Sequence, residues 1–421
     1  MRTKASVLLG LLAVAASVTI DGCSSGSSNA ANGQVTLNVI GWKGGGGETS
    51  NVPEINAAFE KAYPNIKINY SYVTSTEYTT KLNAEFLAGK APDVVMANTW
   101  TLPTWAKNGY VQDLSGQSWA GELSAPVKPL AEVGGKVYAE PNELSGLGLF
   151  SNMSILNSVG ITTAPTTWSQ FTVDLQTLKA AGKPGLELPD QAGWTIFEAI
   201  NAQAAYQVYQ GDPGWDQQQA AGSATFSGTA GWSAAMQQIA ALGTGGLIDY
   251  QDQLGINEWS TTDYQAGKAA FTLQGSWQNS AFVQAVPQTQ FSPWPGAASG
   301  GQQIASTAVG TMWSINAATS HQQAAEDYLD FWATSQALDP YLTAEIAYSP
   351  FTNVATPNLT DAKSFATAMS SGKFIVMPEN GWAGGASQTA LGNDVQALVL
   401  GKATVAQTLS AYDSEDHKTG F

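Results

Sequence analysis

Hydrophobic positions from residue 35 onward alternate between the two-residue period of strands and the 3.6-residue period of helices. Residues 35–40 follow the strand period, and residues 52–63 place Ile55, Phe59 and Ala62 on one helical face. A second strand at 66–73, a helix at 77–87 and a short buried strand at 93–96 follow. This alternation predicts an α/β lobe whose sheet is largely parallel.

The remaining pattern predicts further helices that belong to a second lobe. Helical periodicity covers residues 167–181, 197–209, 228–242, 262–267, 321–335 and 386–412, with a break near Gly401, and residues 269–273 have the pattern of a strand. A chain of 421 residues is longer than one ordinary hydrophobic core requires. We therefore expect two lobes.

The first residues have the layout of a secretory signal. Arg2 and Lys4 precede an apolar stretch at 5–20, which is short for a membrane span. The stretch ends at Ile20-Asp21-Gly22-Cys23, which resembles a bacterial lipobox, although Asp21 stands where a small residue is usual. We expect residues 1–23 to be a lipoprotein signal peptide with its lipobox, Cys23 to be the lipid anchor, and residues 24–33 to be a flexible tether. This places the protein outside the cytoplasm, anchored to the cell membrane.

Composition excludes several classes of function. Hydrophobic residues make up 43 % of the chain and charged residues 12 %, which is typical of a globular protein. A net charge of −16 with 17 basic residues leaves no dense basic patch, so we expect no nucleic-acid partner. Cys23 is the only cysteine and only two histidines are present. We therefore expect no catalytic residues of the histidine or cysteine type, no metal site and no cofactor.

Several ordered segments resemble those of one protein family. They are Gly89-Lys-Ala-Pro-Asp-Val94, Gly135-Lys-Val-Tyr138 with Pro141, Pro165-Thr-Thr-Trp168, Tyr264-Gln-Ala-Gly-Lys-Ala-Ala270, Gly275-Ser-Trp277 and Leu400-Gly-Lys-Ala-Thr-Val-Ala-Gln-Thr-Leu409. Their order and spacing resemble the family 1 extracellular solute-binding proteins, the group that contains the bacterial maltose-binding protein.

The resemblance implies the fold and the partners. It implies a two-lobe, periplasmic-binding-protein-like α/β fold, in which hinge crossovers join the lobes around a ligand cleft that closes by a hinge motion. Carried over, residues 34–143 and 314–353 form lobe 1, and residues 146–308 and 358–421 form lobe 2. It also implies a monomer that delivers a carbohydrate to the membrane subunits of an ABC importer.

Fourteen tryptophans give the cleft its candidate chemistry. A sugar needs aromatic platforms for its C–H faces and planar polar side chains for its hydroxyl edges. Strand-end positions and the family resemblance select the candidate ligand contacts Trp42, Glu48, Asn98, Trp100, Glu143, Ser145, Trp194, Trp277 and Trp382. The glycine run at 44–47 is not a phosphate loop, because the Gly-Lys-Ser/Thr ending is missing.

The other tryptophans divide by their position along the chain. Helical or capping positions predict core packing for Trp105, Trp168, Trp232 and Trp332. Trp259 and Trp313 are secondary candidates for the cleft, and Trp119, Trp215 and Trp294 are not assigned by their pattern.

Two alternatives stay open at the level of sequence. An acidic, tryptophan-rich cleft also suits a quaternary amine or polyamine held by cation–π contacts. A secreted glycoside hydrolase needs two carboxylates at a set separation, and 33 acidic residues do not exclude such a pair.

Overall fold

The structure is a computed structural model that describes residues 33–45, 50–258, 262–359, 362–377, 379 and 385–419, without the side chains of 385–389 and 416–419. The signal peptide, Cys23 and nearly all of the tether fall outside the described residues. The strands in chain order are β1 Val35–Gly41, β2 Ile66–Tyr72, β3 Val94–Ala97, β4 Glu132–Val133, β5 Lys136–Val137, β6 Glu140–Pro141, β7 Ser145–Asn152, β8 Leu186–Glu187, β9 Phe271–Gly275, β10 Thr289–Pro293, β11 Ala305–Ala308, β12 Met312–Ile315 and β13 Phe374–Val376.

Helices connect most of these strands. They are α1 Val52–Ala62, α2 Ser75–Leu87, α3 Leu102–Lys107, α4 Lys128–Ala131, α5 Met153–Asn157, α6 Trp168–Ala180, α7 Thr195–Ala204, α8 Trp215–Ala220, α9 Ala230–Thr244, α10 Tyr250–Gln253, α11 Asn279–Ala285, α12 Gln322–Trp332, α13 Ser335–Glu345, α14 Lys363–Ser370, α15 Gly385–Val399 and α16 Val405–Thr419. Helices and strands are mixed throughout the chain, as the α/β prediction required.

Two sheets organise the molecule. The first has the order β2-β1-β3-β12-β6, with β1 parallel to β2 and β3, and β12 antiparallel to β3 and β6. The second has the order β13-β11-β7-β9-β8, and β10 also pairs with β7. β7 runs antiparallel to β9, β10 and β11. We call the first sheet with its helices the first lobe, and the second sheet with its helices the second lobe.

Each sheet has its own hydrophobic core. The first core draws its buried residues from positions 37–144 and 309–354, and the second from positions 147–304 and 377–412. The chain therefore crosses between the cores three times: near 144–147, near 304–309 and between 354 and 377. The lobe limits predicted from the sequence remain a proposal. The division of the buried residues between two cores supports it.

Hydrophobic periodicity explains the helices of the first lobe. α1 buries Val52, Ile55 and Phe59 on one face, and Phe59 stacks edge-on against Tyr328 of α12 at 5.2 Å between ring centroids. α1 begins with a proline in its first turn, where no intrahelical amide bond is lost. The predicted strand and helix pattern of residues 35–97 is therefore confirmed, with boundaries that differ by a few residues.

The predicted helix at 262–267 is wrong. This segment is a turn, in which the Glu187 carboxylate accepts hydrogen bonds from the backbone amides of Asp263 and Tyr264 at 2.8 and 2.9 Å. Gly267 closes the turn with φ of 70°, a conformation that glycine adopts without strain. The amide of Ala266 donates to the Thr262 carbonyl at 3.0 Å, so the segment forms a single turn that ends at Gly267. Glu187 binds the first two amides after Thr262, which have no acceptor within a helix.

Two absences hold for the described part of the chain. None of its helices is both long and apolar enough to cross a membrane. Within the same residues, no three His, Cys, Asp or Glu side chains gather closely enough to hold a metal ion.

Candidate functional site

Residues that follow β1 and β3 lie at the same edge of the first sheet, because these strands are parallel neighbours. Trp42 is half-buried, and its ring packs edge-on against Tyr78 at 4.8 Å. Asn98 Oδ1 accepts from the backbone amides of Trp100 and Thr101 at 3.1 and 2.9 Å. The Asn98 side chain therefore supports the turn that leads into α3. Trp100 is half-buried, and its Nε1 is shielded from solvent.

Lys43 is a buried cation at this edge. It is 7 % exposed, and its Nζ donates to Glu345 Oε2 of α13 at 2.8 Å. The Tyr70 hydroxyl donates to the Lys43 carbonyl at 2.6 Å, which fixes the backbone beside the charge. A buried ion pair needs such close geometry to offset the desolvation of both charges.

Trp277 approaches Lys43 from the second lobe. It follows β9 directly and is half-buried, and Lys43 Nζ lies 5.8 Å from the centroid of its ring. Its Nε1 is buried without a hydrogen-bond partner among the described residues. A buried indole N–H without a partner loses a hydrogen bond that it makes in water, so an acceptor on a ligand would satisfy it. Trp277 therefore combines an aromatic platform with an unused donor.

Glycine makes room for the Trp277 ring. The indole lies against the backbone of Gly275, and a Cβ atom at position 275 would overlap three ring carbons. The Gly-Ser-Trp segment therefore has a packing reason for its glycine, besides the family resemblance. Ser276 is buried, and its hydroxyl accepts from the amide of Gly146 at 3.1 Å.

Glu143 and Ser145 lie where the chain passes from the first core to the second. Both side chains are buried, and Ser145 Oγ donates to Glu143 Oε1 at 3.4 Å. Thr311 Oγ1 donates to Glu143 Oε2 at 2.7 Å and lies 2.9 Å from the Tyr341 hydroxyl. A Cβ atom at Gly310 would lie 2.6 Å from Glu143 Oε1. The carboxyl group is therefore enclosed by groups that lie at, or next to, the first two chain crossings.

Burial controls the electrostatics of Glu143. Desolvation raises the pKa of this carboxyl to about 7, while the charge of Lys43 and the hydrogen bond from Thr311 lower the pKa by less. The like charge of Glu345 also raises the pKa of Glu143. Glu143 therefore changes its protonation state near neutral pH, between Lys43 and the hinge.

The remaining candidates are placed as follows. Trp194 lies immediately before α7 and is half-buried against the second core. Glu48 and Trp382 fall outside the described residues, as does Trp259. The structure thus brings Trp277, Glu143 and Ser145 to the junction of the lobes, and their roles as ligand contacts stay predictions.

The other tryptophans belong mainly to the cores. Trp105, Trp232 and Trp332 are fully buried, as predicted, whereas Trp168 is only half-buried. Trp313 is also fully buried, and its ring packs against Trp332 at 5.5 Å, so the suggestion that it contacts ligand is wrong. Trp119, Trp215 and Trp294 are core residues too.

The sequence did not reveal the polar partners of these candidates. Glu345, Thr311 and Tyr341 carry no local motif, and they reach the site only because β12 and α13 return to the first lobe late in the chain. Lys43 offered the one sequence signal for a charged group at this site. It is a single lysine that stands between the first strand and the glycine run.

Replacing Gly275 with alanine tests the platform. The new methyl group overlaps the Trp277 ring, so we expect the indole to move and ligand affinity to fall severalfold. Titration calorimetry with a ligand that the wild-type protein binds measures the loss of affinity. Gly255→Ala is the matched control, because the nearest atom to a Cβ there is 3.7 Å away. Equal affinities for Gly275→Ala and wild type would contradict the role of this glycine.

The ionisation of Glu143 predicts a pH-dependent stability. Its folded-state pKa is raised, so its stabilising contribution is complete below about pH 4.5 and is lost as pH rises through 7. By pH 8 the loss amounts to about 3 kcal/mol in the free energy of unfolding. Urea unfolding at several pH values should show a smaller decline for Glu143→Gln than for wild type. The exposed control Glu54→Gln should leave the decline unchanged, and identical slopes for all three proteins would refute the assignment.

A family model and several individual proteins match the sequence of this chain. The family model for bacterial extracellular solute-binding proteins matches residues 45–338. The multiple sugar-binding protein of Streptococcus mutans is 23 % identical over 67 % of this chain and 68 % of its own length. The maltooligosaccharide ABC transporter solute-binding lipoprotein of Streptococcus pneumoniae R6 is 24 % identical over 76 % of this chain and 72 % of its own. Other matches are shorter: an extracellular-binding protein of an ABC transporter from Pyrococcus horikoshii is 29 % identical, and the chain covers 40 % of its length.

Solved structures show the same fold. A chitin oligosaccharide binding protein superposes with a TM-score of 0.76 at 19 % identity, covering 92 % of this chain and 99 % of its own. A family 1 extracellular solute-binding protein from Bifidobacterium longum subsp. infantis gives a TM-score of 0.69 at 19 % identity, covering 92 % and 100 %. The relatives named here are binding proteins, not enzymes. The resemblance and the two-lobe fold predicted from the sequence are confirmed, and the chain belongs to the bacterial extracellular solute-binding proteins.

Proposed function

We propose that this protein captures a mono- or oligosaccharide between its two lobes and delivers it to an ABC importer. A sugar ring stacks on Trp277, and its hydroxyl groups take hydrogen bonds from the polar groups at the junction of the lobes. Trp42, Trp100 and Trp194 are proposed further platforms, and Glu48, Asn98, Glu143, Ser145 and Trp382 are further proposed contacts. Ligand binding and hinge closure are the whole activity, so no catalytic step is required.

The position of Lys43 is the observation that favours a sugar over a cation as the ligand. A cage for a quaternary amine or polyamine needs an aromatic face that is free to receive positive charge. Here Lys43 already places its ammonium group 5.8 Å from the Trp277 ring, and Glu345 neutralises it at 2.8 Å. The face of the ring turned toward Lys43 therefore already meets a cation of the protein itself. A neutral polyol does not compete for that position, and it can accept from the lysine and donate to the carboxylates.

The relatives support the same ligand class. The two streptococcal relatives are named for multiple sugars and for maltooligosaccharides. A third relative, the melibiose/raffinose/stachyose-binding protein of Bacillus subtilis, is 27 % identical over 39 % of this chain and 38 % of its own length. Identities of 23–27 % do not transfer one of these sugars to this chain. They favour a carbohydrate over an amine, and an oligosaccharide as the first candidate to test.

The location follows from the N-terminal segment. We propose that Cys23 is acylated and that residues 24–33 tether the receptor to the outer face of the cell membrane, near the importer. Support comes from the lipobox-like sequence and from the pneumococcal relative, which is named a lipoprotein. One acyl chain anchors a protein only weakly, so firm anchoring requires additional chains on the same cysteine.

A thermal-shift screen tests the proposed function. The protein is heated with a panel of mono- and oligosaccharides, with choline and with spermidine. We expect at least one sugar to raise the melting temperature, because a ligand that binds only the folded state stabilises it by mass action. Stabilisation by choline or spermidine alone would contradict the proposal and favour the amine receptor. Cleavage of an oligosaccharide with turnover would favour a glycoside hydrolase.

A further inference from the structure

The edge of the first sheet that lies opposite the candidate site has an unusual surface. β1, β2 and β3 all begin at this edge, which we call the N-terminal edge. α2 runs back from the other edge and ends here at Leu87, and α3 ends here at Lys107. Asn316 to Ala318 also reach it, because β12 is antiparallel to β3 and pairs Ile315 with Val94.

Apolar groups are open to solvent at this edge. Leu87 is 78 % exposed, the highest value among the large hydrophobic residues that the structure describes as exposed. Beside it lies a cavity of about 230 Å³ whose walls include Phe86, Ala91, Tyr110 and Ala317. Phe86 and Tyr110 stack with ring centroids 4.9 Å apart, so two aromatic rings in contact form one wall of the cavity. An exposed leucine next to an apolar cavity is typical of a contact surface.

Two lysines stand close in sequence to residues that line this cavity. Lys90 and Lys107 are exposed on either side, and neither forms an ion pair with any carboxylate of the described residues. The nearby carboxylates already have partners: Glu85 pairs with Lys81, and Asp93 contacts His321 at 3.2 Å. A protein with a net charge of −16 therefore presents two lysines without an ion pair near Leu87, the most exposed large hydrophobic residue of its described part.

The chain enters the fold at the same edge. β1 begins at Val35, four residues before Val39, which pairs with the first residue of β3. Only twelve positions separate Val35 from Cys23, so an anchor at Cys23 would hold this edge within about 40 Å of the lipid surface. The tether therefore keeps this edge closer to its anchor than the opposite edge.

We propose that the N-terminal edge of the first lobe rests on anionic lipid, with Leu87 at the interface and Lys90 and Lys107 against the headgroups. The inference rests on the anchor included in the proposed function, but not on the identity of the sugar. Each lysine near an anionic surface strengthens the contact by about fivefold.

A label at position 87 tests the contact. The full-length chain, processed in cells, is reconstituted on vesicles of phosphatidylglycerol with phosphatidylcholine, and a fluorophore is attached at Leu87→Cys. The matched control is Val173→Cys, because Val173 is 54 % exposed on α6 of the second lobe. We expect a lipid-borne quencher to reduce the fluorescence at position 87 severalfold more than at position 173. Pure phosphatidylcholine vesicles should abolish most of this difference.

Charge reversal separates a specific contact from simple proximity. Lys90→Glu/Lys107→Glu should remove the quenching at position 87, whereas Lys183→Glu/Lys402→Glu on the second lobe should leave it unchanged. Flotation of the chain with vesicles but equal quenching at both labels would overturn the membrane contact alone. Failure to float would overturn both the anchor and the contact. A sugar-induced thermal shift in the same variants reports separately on the ligand site.

Discussion

Replacing Trp277 with alanine should weaken ligand binding about 30-fold or more, which corresponds to about 2 kcal/mol. The substitution removes the ring that faces Lys43 across the junction of the lobes, together with an indole N–H that lacks a partner among the described residues. The fold should persist because the ring is only half-buried. Titration calorimetry with the sugar that gives the largest thermal shift measures the effect.

Two further variants make this result specific. Trp277→Phe keeps an aromatic face but lacks the N–H, so we expect an affinity between those of alanine and wild type. Trp168→Ala removes another half-buried tryptophan, which packs against Phe171 and Trp294 in the second lobe. It should leave affinity unchanged. An unaltered Kd for Trp277→Ala, or an equal loss for Trp168→Ala, would show that the platform lies elsewhere.

Replacing Lys43 with methionine should destabilise the protein by about 3–5 kcal/mol. The change leaves Glu345 buried without its cation, because the two side chains are only 8 % and 4 % exposed. It also removes the positive charge that lowers the pKa of Glu143. Denaturant unfolding of the single variant, of Glu345→Gln and of the double variant gives the coupling free energy of the pair.

An exposed ion pair supplies the control. Lys81 pairs with Glu85 on α2, and its side chain is 44 % exposed. Lys81→Met should cost less than about 1 kcal/mol, since solvent screens such pairs. The double variant Lys43→Met/Glu345→Gln should recover much of the lost stability. Equal costs for Lys43→Met and Lys81→Met would contradict the buried pair as a main support of the junction.

Local pattern was sufficient for the first lobe. β1, β2, α1 and α2 follow periods that short-range sequence displays, because their buried positions recur at fixed intervals along one face. The segment at 262–267 shows the limit of this reasoning. It has helical spacing, but Gly267 ends it after a single turn. The Glu187 carboxylate that binds two of its amides is brought close only by the folded chain.

The candidate site could be predicted only in part. Trp277 was selected because it follows a strand within a recognisable segment, and its role as a ligand contact stays a prediction. Trp313 was misassigned although it lies in a strand. The two tryptophans differ in the groups that contact their rings. Tyr328 and Trp332 of α12 cover the ring of Trp313, whereas the ring of Trp277 faces the first lobe. Lys43 and Glu345 are 302 positions apart, so no local rule could pair them.

A crystal structure of the protein with its bound oligosaccharide tests the central claim most directly. We predict that one sugar ring lies in van der Waals contact with the face of Trp277. Lys43 and Glu345 should stay within hydrogen-bonding distance of each other, with sugar hydroxyl groups nearby. A ligand bound away from Trp277, or a cationic ligand in place of Lys43 on the indole face, would contradict the proposed sugar receptor.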